Sequence, residues 1–427
     1  MNEKTNELID KKCISSYDKI FSICIILLPF LYQYKGIGNV ISLGELLLIP
    51  LILISILKNN KKSFIMNSEI VLYFIFVLLT IISMFYPHFV IKDSLTILTR
   101  MFFYAIIINI GKKHFKLTYV SKFYRMFVFL LALYLIIQQI FHVLTGGFLP
   151  IYFSYKFLFP PEKRAEVLSL YYKFLLYRPS SMFLEPGYYA LFCIPYICIF
   201  PFLKKQTFGE KFSNLIVYIS IFLSGSSAGI IALCVVFYSS INAYLKNVGL
   251  KKFINYFFTF IISFIFLFIF CFFFRENNYI DRTISGASFN YRIVRGVEIY
   301  EKMNISSKII GIGPNNLENY MKYNNLMTNY DEERLDYCSS FTQILNYFGL
   351  IGFIFFVIYL INIYNDIKIN KIAKLLFVLL LFTLSYEAVF FTYRYAYLIL
   401  FIYGIKGEKI MNSRKELNYE KNKDNCR

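Results

Sequence analysis

Tryptophan is missing from this chain, and histidine nearly so, with only His88, His114 and His142 among 427 residues. None of these has metal-ligand spacing or a nucleophile beside it, which excludes a zinc hydrolase and a serine triad. Acidic side chains are also scarce, 26 Asp and Glu against 45 Lys and Arg, for a formal charge of +19. Near the apolar runs only Glu45, Glu69 and Glu387 stand out, too few for the carboxylate relay of a proton-driven carrier. No unit repeats at a period of roughly 20–50 residues, and no inverted pair of broken helices is visible, both of which weigh against a transporter. Of the eight cysteines only Cys338 borders a large polar stretch, so no disulfide framework is implied.

What the chain has in abundance is apolar length. It is 58% hydrophobic and 20% aromatic, in runs of roughly 17–23 residues, enough to cross a hydrocarbon core of about 30 Å. The run Ile254 to Phe274 is apolar on every side except at Asn255, Tyr256, Thr259 and Ser263, unlike the single apolar stripe of a soluble helix. The reading is an all-α, polytopic helical membrane protein, a single integral membrane domain over 1–427. It has about twelve spans, at 20–34, 40–57, 69–86, 95–111, 123–145, 187–203, 213–224, 227–245, 253–274, 339–364, 373–391 and 394–405. Without tryptophan, interfacial anchoring falls to Tyr32, Tyr34, Tyr86, Tyr364 and Tyr393 near span ends. The polar start, Met1 to Lys19, leads into an apolar run with no small-residue cleavage site after it, so the first span is expected to be retained.

The cations sort by position. Lys58 to Lys62, Lys112 to Arg125, Lys204 to Lys211, Lys246 to Lys252, Lys368 to Lys374 and the tail 406–427 form basic clusters on alternate connections, as cytoplasmic retention demands. That accounts for the net charge without nucleic acid. It also puts two long loops outside, 146–185 and 275–338, the latter between spans nine and ten. Retention cannot explain the cations on those loops.

The first outer loop leaves through Arg178-Pro179-Ser180-Ser181-Met182-Phe183-Leu184-Glu185-Pro186-Gly187-Tyr188, where Pro186 suits the first turn of the sixth span and Glu185 the positive end of its dipole. Ser224-Gly225-Ser226-Ser227-Ala228-Gly229 reads as a corner between two closely packed helices. In the large loop, Phe289, Ile293, Val297 and Tyr300 recur at helical spacing, which predicts that Arg292, Arg295, Glu298 and Lys302 share the opposite, open face. Gly311-Ile312-Gly313-Pro314 reads as a turn into a helix with Pro314 at its first position. Asp331-Glu332-Glu333 reads as a solvated acidic turn rather than a metal site. The tenth span then opens with Cys338-Ser339, nine residues, and Gly349-Leu350-Ile351-Gly352.

Arg178, Arg282, Arg292 and Arg295 present planar forks suited to a pyrophosphate, with an ordinary salt bridge to Glu185 or Glu298 as the competing role. Tyr172, Tyr177, Tyr291 and Tyr320 are candidates to stack on sugars, against a purely interfacial role. These segments together resemble the O-antigen ligase and polymerase superfamily, most closely the Wzy-type repeat-unit polymerases of O-antigen and capsule assembly. The resemblance implies glycosyl transfer without metal or cofactor on the outer face of the bacterial plasma (inner) membrane. One undecaprenyl-diphosphate-linked oligosaccharide would be joined to a sugar hydroxyl of another, with a flippase and a chain-length regulator as partners besides the lipid bilayer. It points to Arg178, Glu185, Arg292 and Arg295 as catalytic, Glu185 either taking the hydroxyl proton or capping its helix, and to Arg282, Tyr177, Tyr291, Ser339 and Ser340 as substrate-binding. The ligase branch begins the signature with His; Cys338 stands there, favouring polymerase over ligase-type transfer to a final acceptor. A lipid-linked oligosaccharide flippase is the alternative of another class.

Overall fold

A computed structural model describes residues 15–37, 41–58, 67–152, 157–158, 177–202, 206–247, 294–326 and 338–406. The expected ninth span, Asp331 to Glu333 and the basic tail after 406 lie outside the described residues, as do Tyr172, Arg282, Tyr291 and Arg292. The helices are α1 Ser16–Leu31, α2 Leu43–Lys58, α3 Ser68–Ser83, α4 Ile91–His114, α5 Leu117–Thr145, α6 Pro186–Ile199, α7 Phe208–Leu223, α8 Ser227–Asn247, α9 Arg295–Lys302, α10 Ile305–Ile310, α11 Leu317–Tyr323, α12 Ser340–Ile367, α13 Lys371–Tyr386 and α14 at 393–406. Among the described residues, β-structure is confined to the isolated bridges Tyr34–Leu158 and Lys35–Ser42.

The chain is a helical membrane protein. Among the described residues, α4, α5 and α12 are long and apolar enough to cross a membrane, and shorter apolar helices cover Leu43–Leu57, Ser68–Ser83, Pro186–Phe202 and Ser227–Ile241. The apolar runs behind the expected count of twelve are therefore longer than the helices several of them form. The run at 373–391 is an example: α13 stops at Tyr386 because the next residues turn inward, as described below. On α12, Ile354, Ile358 and Ile361 are each about half exposed at helical spacing, an apolar stripe that water would penalise and lipid accommodates.

Two helices form the centre. From Tyr189 to Ile199 α6 is buried on all sides, as is α14 over 395–402, the condition in which a helix can be apolar all round. Tyr124 and Tyr397 both donate to the Phe192 carbonyl, at 2.7 and 3.0 Å, tying α5 and α14 to α6.

Helix termini gather at two ends. At one, basic residues bind acidic ones: His114 Nδ1 lies 2.6 Å from Asp18 Oδ1, Lys112 Nζ is 2.6 Å from the buried Glu69, and Arg125 pairs with Glu210. At the other, connecting segments bind each other: Gln33 Nε2 donates to Met182 O at 2.5 Å, and Asn316 accepts from Val90 N at 2.6 Å.

A cover of short helices, α9 to α11, lies over this second end and is anchored at Gly349. Gly349, at φ 65° and ψ −169°, interrupts α12 in a region essentially reserved for glycine. The break frees helix carbonyls, and the cover supplies the missing donors: Ile312 N bonds Asn346 O at 3.1 Å and Gly313 N bonds Tyr347 O at 3.0 Å. Contrary to the sequence expectation, Pro314 does not begin a helix; α11 starts at Leu317, and Asn316 instead binds Val90, Ser94 and the Pro314 carbonyl.

Candidate functional site

The site is built at the end where the connections meet. Residues 178–185 are held by amide side chains from neighbouring helices. Gln138 Oε1 accepts from Ser181 N at 2.8 Å and its Nε2 donates to Ser181 O at 3.0 Å, while Ser181 Oγ donates to Leu131 O at 2.7 Å. Gln33 bonds Met182 O and Leu184 N. The stretch delivers Glu185 as N-cap residue and Pro186 as first residue of α6, as its proline predicts, but the Glu185 side chain makes no capping bond.

Arg178 donates through Nη2 to the Gly225 carbonyl, so the first loop meets the α7–α8 corner, while its Nε is buried with no hydrogen-bond partner. Opposite lies the turn 387–392 between α13 and α14. Ser340 clasps it: Oγ donates to Glu387 O at 2.6 Å and accepts from Val389 N at 2.8 Å and Phe390 N at 3.2 Å. Phe391 adopts φ 47°, unusual for a bulky residue and sustained by this packing.

The clasp sets Glu387 and Arg394 facing the start of α6. Arg394 Nη1 lies 2.7 Å from Glu387 Oε2. A Cβ placed on Gly187 would sit 3.3 Å from Glu387 Oε1, so that carboxylate rests against the first turn of α6. The Arg394 guanidinium lies 4.7 Å from the Tyr188 ring centroid and 5.6 Å from that of Tyr393, which stacks on Tyr32 at 3.9 Å. Glu185 is close enough to act on Arg394 electrostatically. A narrow crevice runs along the Arg394 side, lined by Tyr188, Leu191, Tyr393 and Tyr397. Another reaches Glu387 between Ala228, Ile231, Phe382 and Thr383.

Neither a protein-family model nor a curated relative matches the chain.

The other sequence-predicted residues are distributed unevenly. Ser339 is the N-cap of α12, accepting from Thr342 N at 3.4 Å, and both it and Ser340 are buried. Tyr177 packs against His142 and Phe148, with ring centroids 4.3 and 5.2 Å away. Tyr320 is buried and accepts from Asn304 N at 3.0 Å. Arg295 is fully buried, contrary to the open face predicted for it. The buried face of α9 is Arg295, Gly296 and Ile299, and Val297 is exposed. The cause is Gly296, against which Thr342 packs and whose carbonyl accepts from Asn346 Nδ2 at 3.1 Å; only a residue without Cβ fits there. Beside the cover, His88 lies against Tyr86 and Tyr320, and its burial pushes its pKa down. Among the described residues no three His, Cys, Asp or Glu side chains gather as metal ligands would.

Arg394 is the residue that sequence reasoning missed. The signal was present: an arginine inside the final apolar run is costly in lipid and marks a functional site by default.

Proposed function

We propose that this chain is a repeat-unit polymerase of the Wzy type, a multi-pass protein of about twelve spans in the bacterial plasma membrane. It joins undecaprenyl-diphosphate-linked oligosaccharides on the outer face into O-antigen or capsular polysaccharide. The observation that supports this reading is a convergence: the segments that carry the resemblance, 178–187, 224–229 and the start of α12, meet at Glu387. They do so through the contacts of Arg178 with Gly225, of Glu387 with Gly187 and of Ser340 with Glu387.

In this reading the anomeric C–O bond to the diphosphate breaks as the acceptor hydroxyl oxygen bonds the same carbon. The lipid diphosphate leaves with its charge, and the hydroxyl proton passes to a carboxylate. Arg178, which reaches the convergence with its Nε unsatisfied, offers preorganised positive charge for the leaving group. Glu185, the N-cap residue of α6, takes the proton in this role. A built site of this kind stabilises charge in the transition state without a metal.

The test is deletion of the gene. Single repeat units should then accumulate on the lipid carrier or reach the final acceptor unjoined. Full-length polymer retained on the carrier would instead show a missing ligation step and refute the reading. Reporter fusions should place Asn316 outside and Lys371 inside; a cytoplasmic Asn316 would end the outer-face assignment.

A further inference from the structure

We propose that the Glu387–Arg394 pair is the subsite for the acceptor sugar's hydroxyl group. The inference rests on the polymerase reading and assigns a part of it to residues that the resemblance does not name. Arg394 uses Nη1 on Glu387 and carries Tyr188 and Tyr393 near its guanidinium, yet its Nε is a buried donor with no hydrogen-bond acceptor, on a side chain that lines the crevice. A donor left without an acceptor in such a place is expensive, and its ligand must accept.

Charge decides which ligand that is. An oxyanion only accepts, and here it would meet the carboxylates of Glu387 and Glu185, with Arg394 already neutralised by the first of them. A hydroxyl group both accepts and donates. Its oxygen takes the Arg394 Nε–H while its proton points to a carboxylate, so the mixed pair suits it where a pair of arginines would suit a diphosphate. The two ends of the reaction are then divided: Arg178 serves the leaving group, Glu387 and Arg394 the incoming hydroxyl.

The experiment uses the full-length protein in lipid nanodiscs, with lipid-linked single repeat units extracted from the deletion strain and, separately, undecaprenyl diphosphate as a binding probe. Because one member of a buried pair cannot be removed without stranding the other, the variants are Glu387→Gln, Arg394→Gln and the double variant, which leaves no unpaired charge. Chain growth should fall at least tenfold in all of them, while undecaprenyl diphosphate binding stays within about twofold of wild type. Wild-type chain growth in the double variant would overturn the proposal. So would a folded double variant that loses undecaprenyl diphosphate binding as severely as chain growth, since the pair would then serve the diphosphate. Wild-type protein that neither binds the probe nor extends chains would refute the polymerase reading itself, a result distinct from either of these.

Discussion

Replacing Gly349 with alanine should unseat the cover from α12. At φ 65° and ψ −169° an L-residue is strained by about 1–3 kcal/mol. The added Cβ would stand 2.3 Å from the Ile309 carbonyl oxygen and 2.6 Å from Gly311 N, both backbone atoms that cannot rotate away, and forced overpacking of this kind costs about 1–3 kcal/mol more. Relief requires the cover to retreat, which breaks the bonds from Ile312 N and Gly313 N, each contributing about 1 kcal/mol. That retreat removes the overpacking, so the strain and the two lost bonds remain, about 3–5 kcal/mol, concentrated on the docking of residues 305–316. Limited proteolysis and hydrogen exchange in nanodiscs would read it as faster cleavage and exchange across 305–316. Gly209→Ala, at a helical position with nothing within 4 Å, is the control and should be neutral or slightly stabilising. A Gly349→Ala protein with wild-type melting and protection would refute the account of this break.

Ser340→Ala should cost about 1–3 kcal/mol, because it strands the Phe390 N–H while Val389 N keeps its bond to the Glu387 carbonyl, with a matching fall in detergent melting temperature. Arg295→Ala should lower protein abundance, since it empties a fully buried position, whereas Arg178→Ala should leave abundance normal and abolish polymer; immunoblot and polymer ladder together separate the cases. His88, with its pKa lowered by burial, is neutral in the folded state, so its contribution is present above the unfolded-state value of about 6.5 and lost as pH falls through the lower folded value. Proteolytic exposure of α11, measured between pH 7.5 and 5, should therefore rise with acidity, and His88→Phe should flatten that dependence.

Local chemistry made some of the site readable in the sequence. Pro186 marked the start of α6, and the small residues at 224–229 marked the α7–α8 corner, because proline and glycine constrain the backbone wherever they stand. The helical class followed from apolar length. What tertiary packing decides was not readable. The apolar spacing of Val297 and Tyr300 named one face of α9, but the close contact at Gly296 turned another inward and took Arg295 with it. The partners of Ser339 and Ser340, Thr342 and the 387–390 backbone, could not be foreseen from spacing. Arg394 opens the last expected span, 394–405, and only the fold puts it beside Glu387, Tyr188 and the start of α6.

The stitching of Gly311–Gly313 into the broken helix has a consequence for traffic. A roof whose main chain completes the hydrogen bonding of the beam beneath it cannot swing open while that beam stays whole. Residues 305–313 and α12 must travel together. The crevice that reaches Glu387 lies instead in the wall, between α8 and α13 beside the exposed Ile231 and Phe382, where it stays the same whether or not the roof moves.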